Sequence, residues 1–342
     1  MKGVIHKIIC LSALFITLHS DHAKAQDIAT LHETARSLMK QGDFENATLV
    51  LNKALKQEPD NLDLLKDQAF VFYLKRDFAG AVESGKKIIA RTDADVQCFQ
   101  ILGLAYKAIA EFKESDKMYK EALKKFPNSG VLYSEYGDLL ASNNNAAAAI
   151  KQWEKGIETD PNHSSSNYYY AAKYYAEKGN IIWGLLYSEI FVNIESFTKR
   201  TDEIKSILFG GYQKLFSAPE AVNSAKENGT PFEKAVATDI STLTGLMVNG
   251  VTPETFTAFR TRFILNWYNR SSNEFPFRLF EHQRLLLQEA YFEAYNQWLI
   301  GPLADTQKFQ AWTQNHADEV KAFQQFQHNV IFKIPEGQYY SH

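Results

Sequence analysis

From about residue 28 onward, apolar side chains recur at steps of three and four, the spacing of one face of an α-helix, and polar, glycine- or proline-containing breaks separate the runs. No run alternates convincingly as a strand would, so every element is expected to be helical. The small residues are placed as regularly as the large ones. At 34-residue steps Ala35 is followed by Ala69, Gly103 and Gly137, and Ala47 by Ala81, Ser115 and Ala149. Leu38, Phe72, Tyr106 and Leu140 keep the same phase. Gly42-Asp43-Phe44 returns as Arg76-Asp77-Phe78 and Ala110-Glu111-Phe112, and Pro59 returns as Pro127 and Pro161. A further copy stands one residue out of phase, with Ala172, Tyr175, Gly179, Asn180 and Gly184.

Each recurring position has a physical reason. Two helices pack closely, at about 8–10 Å between axes, only where small side chains stand at the crossing. Large residues such as Leu31, Leu65, Phe99, Tyr133 and Tyr168, and Leu51, Tyr119 and Trp153, fill the space between. Glycines 42 and 179 can take the positive φ that ends a helix. Asp43, Asp77, Asn145 and Asn180 can then cap the next helix by accepting a backbone N–H, and the prolines stop it. A 34-residue period with these small, aromatic and proline positions resembles the tetratricopeptide repeat (TPR) family. The resemblance covers roughly residues 28–198 as five repeats. It implies an all-α solenoid of helix-turn-helix units in which each repeat contacts its neighbours. Repeat 2 departs from the pattern, with Arg76 for the turn glycine, Gly85 for a bulky residue and Asp93 for proline, so its second helix is expected to be shorter or less tightly packed.

The resemblance also implies a concave groove lined by the first helix of each repeat. Its lining would be Lys66, Phe70 and Tyr73; Gln100, Leu104 and Lys107; Ser134 and Asp138; Tyr169 and Lys173. Aromatics there would anchor a peptide or a partner's helix, and lysines would meet anionic groups. Paired Lys and Asn that grip a carboxylate in some TPR proteins are not repeated here. The corresponding positions hold His32 and Arg36, then Lys66 and Phe70, so that clamp is not expected.

After residue 199 the 34-residue phase is lost while helical patterning continues. Thr230-Pro231-Phe232-Glu233 reads as a helix start, with an N-cap threonine, proline at the first position and glutamate at the third, and Thr252-Pro253-Glu254 repeats it. Helices are expected near 231–248, 253–269, 277–300, 306–315 and 317–329. The aromatics of this half read mainly as core. Arg260, Arg284, Tyr291, Tyr295 and Trp298 are the candidates for a second contact surface. The segment resembles helical tails that follow TPR arrays in exported proteins of Bacteroidetes-like bacteria, which implies a cell-envelope setting.

The first residues form a separate object. Lys2 and Lys7 precede an apolar run at 8–18, and Ala23-Lys24-Ala25 closes it, the pattern of a secretory signal peptide cut before Gln26. The apolar run is about half of the ~20 residues a spanning helix needs. The leader carries three lysines and one aspartate, so its removal makes a chain of formal charge −3 more acidic still. An acidic exported chain is a poor candidate for nucleic-acid binding, which depends on neutralising phosphates. The leader also takes Cys10, leaving Cys98, which cannot form an intramolecular disulfide. Periplasmic or secreted localisation is expected.

Candidate chemistry is sparse. His163, His282, His316, His328 and His342 are scattered, and no H-E-x-x-H, Walker loop, G-x-G-x-x-G or G-x-S-x-G occurs. No catalytic residue, metal or cofactor is assigned. The expected organisation is a signal peptide at 1–25, a TPR solenoid at 26–198 and a helical region at 199–342 packed on the last repeat. The expected function is a protein–protein interaction scaffold with a protein or peptide partner in the groove. The second reading makes 199–342 an enzymatic or small-ligand domain, and an enclosed pocket of converging Arg, Glu and Tyr side chains there would favour it.

Overall fold

The computed structural model describes residues 26–341. The expected leader and its cleavage site lie outside the described residues. All regular structure among the described residues is helical. Two compact units divide the chain, Met1–Lys125 and Phe126–His342. The last two repeats thus belong with the helical half.

The first unit is three antiparallel hairpins: α1 (26–41) with α2 (Phe44–Gln57), α3 (Leu62–Leu74) with α4 (Phe78–Ile89), and α5 (Val96–Ala108) with α6 (Phe112–Lys125). The small residues sit at the crossings, with Ala35, Ala47, Ala69 and Ala81 fully buried. A Cβ added to Gly103 would lie 2.2 Å from the Tyr119 hydroxyl, so the tyrosine fills the space that glycine leaves. Every turn takes a left-handed residue whether or not it is glycine: Gly42, Arg76 and Ala110 all have positive φ. The same pair of bonds closes each of the first two, Gly42 N–H to Met39 and Asp43 N–H to Leu38, then Arg76 N–H to Tyr73 and Asp77 N–H to Phe72. Asp43 and Asp77 cap α2 and α4 as expected. α4 is indeed shorter than α2, 12 residues against 14. It is not loosely packed, because a Cβ on Gly85 would meet the Leu102 side chain at 3.0 Å. That glycine permits close approach.

The second unit begins with two more hairpins, α7 (Gly130–Ser142) with α8 (Ala146–Thr159) and α9 (Ser165–Lys178) with α10 (Ile181–Ile194). Trp153 occupies the space over Gly137. α11 (Lys199–Ser217) then packs on both α9 and α10, as a further first helix would. Short helices follow: a 3-10 turn at Pro219–Val222, α12 (Asn223–Asn228) and α13 (Pro231–Ser241), with the capping box of Thr230 and Glu233 in place. The helix expected to reach residue 248 ends at Ser241. α14 (Pro253–Arg270), α17 (Thr306–Asn315) and α18 (Ala317–Asn329) lie close to expectation, and residues 330–341 run on without helix.

The single helix expected over 277–300 is two, α15 (Arg278–Gln288) and α16 (Phe292–Ala304). Ala290 between them has φ 61°. Ala290 N–H donates to Leu287 and Tyr291 N–H to Leu286, the bonding of the repeat turns above. Relative to that turn, Leu279, Leu286 and Phe292 stand where Leu31, Leu38 and Phe44 stand in the first hairpin. Where Ala35 and Ala47 stand there, this hairpin has Gln283 and Tyr295, both buried. It is a sixth hairpin whose small crossing residues have been replaced.

One aromatic-rich core runs from Ala149 to Ile334. At its centre is α10, in which all twelve residues from Ile181 to Val192 are buried. Helices α9, α11, α13 and α15 pack around it.

Candidate partner-binding faces

In the first unit, α3 and α5 carry six of the expected groove residues. Lys66 is not available as a free cation. It is buried, and its ammonium bonds to Asp63 at 2.8 Å and Asp95 at 2.7 Å. Burial works to lower its pKa, but the two carboxylates outweigh it and hold the value above that of an ordinary lysine. Phe70 and Tyr73 are half-buried and stack, with ring centroids 6.0 Å apart and planes 11° from parallel. Leu104, one repeat on from Phe70, is 37% exposed, with Gln100 half-buried and Lys107 exposed on the same helix. A polar knot that the sequence reading missed lies beside them. Asp67 Oδ2 accepts from Arg36 Nε at 2.6 Å and lies 2.7 Å from His32 Nε2. Asp67 is at the next position along from Lys66, and only the fold brings it to α1.

In the second unit the expected positions are more fully engaged. Asp138 is half-buried on α7. Tyr169 is buried; its hydroxyl donates to Glu203 at 2.6 Å, and Lys173 Nζ donates to the other oxygen of Glu203 at 2.6 Å. The Arg200 guanidinium lies 5.1 Å from the Tyr169 ring centroid and is itself paired with Glu195. Glu203 comes from α11 and stands 34 residues beyond Tyr169, so the repeat phase persists one helix past the point where it fades from the sequence.

The five residues of the expected second surface do not form one. Arg260 is 2% exposed and Tyr295 fully buried. Arg260 pairs with Glu189 of α10 and bonds Asn296, while Gln283 Nε2 and the Tyr295 hydroxyl donate to Glu189 at 2.7 and 2.8 Å. The cause is the sixth hairpin: its crossing positions face α10, and polar groups there reach a carboxylate that needs them. Burying an unpaired charge would be prohibitive. Trp298 is half-buried beneath the Lys205 ammonium, 3.6 Å from the ring centroid. Burial brings that lysine's pKa down to about 8. Tyr291 packs against Phe326, and Arg284 is exposed over the Tyr268 ring.

A hollow of about 40 Å³ adjoins the cluster, lined by Glu189, Tyr212, Arg260, Gln283 and apolar side chains. It has room for a water rather than an organic substrate. Cys98 is buried, and burial pushes its thiol up to about 11, the opposite of an activated nucleophile. Among the described residues no three His, Cys, Asp or Glu side chains come together as metal ligands, and no helix is long and apolar enough to cross a membrane.

Residues 32–96 and 102–164, which lie within α1–α9 and their connections, match a tetratricopeptide repeat model, so this part of the chain is similar to that family. Human tetratricopeptide repeat protein 21B is 25% identical over 142 residues, which span 42% of this chain and 11% of that protein. Among solved structures, a thermophilic TPR protein of Thermus thermophilus, TTC0263, is 17% identical with a TM-score of 0.45, covering 53% of this chain and 98% of that one. YrrB, described as a TPR protein with an unusual peptide-binding site, is 20% identical with a TM-score of 0.38, covering 52% and 90%. A tetratricopeptide repeat protein of Parabacteroides merdae is 16% identical with a TM-score of 0.43, covering 75% and 98%.

Proposed function

We propose that this chain is an exported protein–protein interaction scaffold of the cell envelope, and that the first-helix face of residues 62–108 holds an extended peptide or a helix of its partner. The observation that carries this reading is the stacked, half-buried Phe70–Tyr73 pair on α3, with Leu104 exposed at the position of Phe70 on α5. Apolar side chains on a repeat helix that the core does not absorb are available for burial against a partner, at ~25 cal/mol per Å². The family of repeats is consistent with recognition by a preformed surface. The leader pattern of residues 1–25 supports export.

The enzymatic reading is weaker here. Arg260, Glu189 and Tyr295 do converge in the second unit, but they satisfy one another around a hollow of about 40 Å³. The test of the scaffold is a crosslinking pull-down from envelope fractions with tagged protein, repeated with Phe70→Ala, Tyr73→Ala and Lys107→Ala combined. Loss of the captured partner is expected, and undiminished recovery contradicts the assignment. N-terminal sequencing of the exported protein should begin at Gln26.

A further inference from the structure

Residues 330–341 are the longest described stretch without helix, and they are held by side chains and main-chain groups distributed along their length. Exposure alternates as in an extended strand: Ile331, Lys333 and Pro335 face out, while Phe332 and Ile334 are buried. At Ile334 the Asn162 amide bonds the main chain in both directions. Asn162 Nδ2 donates to the Ile334 carbonyl at 2.9 Å, and Ile334 N–H donates to Asn162 Oδ1 at 2.8 Å. Farther on, Arg278 N–H donates to Gln338 Oε1 at 2.6 Å, Thr230 Oγ1 to the Tyr340 carbonyl at 3.2 Å, and the Tyr340 hydroxyl to the Pro276 carbonyl at 2.9 Å. The Tyr340 ring stacks on Phe232, 4.8 Å between centroids, and meets Phe275 edge-on. Phe332 lies against His282, with 5.2 Å between ring centroids.

An asparagine that pairs with both the donor and the acceptor of one residue reads backbone, and alternate side chains entering apolar sites read sequence. That combination is how a protein recognises an extended peptide. The tether into the segment is exposed, with Ile331 74% accessible. Only Phe332 and Ile334 of the segment are buried, and the aromatic cluster that Tyr340 enters has its own internal contacts, Phe232 to Phe277 at 5.0 Å and Phe277 to Phe280 at 5.0 Å. We propose that residues 330–341 are a peptide ligand held in cis, that they detach as a unit from a second unit that stays folded, and that the vacated site, centred on Asn162, Phe232 and Thr230, binds the same segment of a second copy of this chain. The site is distinct from the face of residues 62–108 and does not depend on it.

The test keeps the full chain. A protease site inserted between Val330 and Ile331 is cut after folding, and the protein is presented with a fluorescent peptide of residues 332–341. The cut protein should keep its helical circular dichroism, exchange its own segment for the label in native mass spectrometry, and bind the label saturably. Uncut protein, with its segment tethered in place, should bind at least about tenfold more weakly. A peptide N-methylated at Ile334, which cannot donate to Asn162, should lose about tenfold or more, and Asn162→Ala should do the same to the unmodified peptide. The proposal is overturned if the body unfolds when the segment leaves, if no label is taken up, or if the methylated peptide binds as well as the unmodified one.

Discussion

The hairpins of the first unit and the α15–α16 hairpin of the second use one motif in opposite ways. In the first, alanines, a glycine and Ser115 close the crossings, and the first-helix face keeps an aromatic pair and an exposed leucine that the core does not require. In the second, helices surround α10 until twelve consecutive residues are buried, and the core itself has to accommodate charge. The difference lies in what stands at the crossings. Small residues let the hairpins close without burying charge at the crossing, whereas Gln283 and Tyr295 bring donors inward, where Glu189 and Arg260 meet them. A repeat array can therefore be extended by a hairpin that breaks its own rule when the charge buried against it is met, as Glu189 is by Arg260, Gln283 and Tyr295.

This contrast can be broken most forcefully at the ion pair. Arg260→Ala leaves the Glu189 carboxylate buried without its counter-charge and should cost about 3–5 kcal/mol in urea denaturation. Glu189→Gln combined with Arg260→Met should recover much of that loss. If Arg260→Ala unfolds like the parent, the cluster does not hold the second unit together.

Acid should act on the same unit. Burial first, and then the nearby Arg278 and Arg260 charges, bring the His282 pKa from 6.5 down to about 4. The unfolded chain therefore takes the proton first as pH falls. This contribution is intact above about pH 6.5 and lost progressively towards pH 4, by up to about 3 kcal/mol. His282→Phe should flatten the stability profile over that window, and an unchanged slope would contradict the assignment.

At the crossings, Gly137→Ala places a Cβ 2.2 Å from Trp153 Nε1 and should destabilise by about 1–3 kcal/mol in thermal unfolding. The smallest effect is expected at Ala290, whose left-handed conformation glycine adopts without strain. Ala290→Gly should stabilise by up to about 1 kcal/mol, and destabilisation would count against a repeat-type turn at that point.

The hairpins of α1–α10 were legible because their small residues, caps and prolines recur at a fixed step, and each has a local cause. The break at Ala290 was not, since no glycine marks it and the left-handed residue is an exposed alanine closed by local turn bonds. Arg260 and Tyr295 were misplaced on a surface because an arginine and a tyrosine at helical spacing look the same inside and outside. What decides is Glu189, 71 residues before Arg260. Residues 330–341 carry no helical pattern, only a turn at Pro335-Glu336-Gly337, and their partner Asn162 is remote in sequence. Of the groove positions, Phe70 and Tyr73 are half-buried and Leu104 is exposed. Lys66, Tyr169 and Lys173 were drawn into contacts with acids: Asp63 stands one turn before Lys66 on α3, whereas Asp95 and Glu203 are brought near only by the packing of different helices.

The central claim is that the first-helix face of the first unit meets the partner and the second-helix face does not. A photo-crosslinking amino acid placed at Leu104, and in a separate protein at Leu49 on α2, which is 66% exposed, compares the two faces in cells that express the protein. The account predicts a discrete crosslinked partner at position 104 and none at 49. Crosslinking at 49 alone, or equally at both, would contradict it.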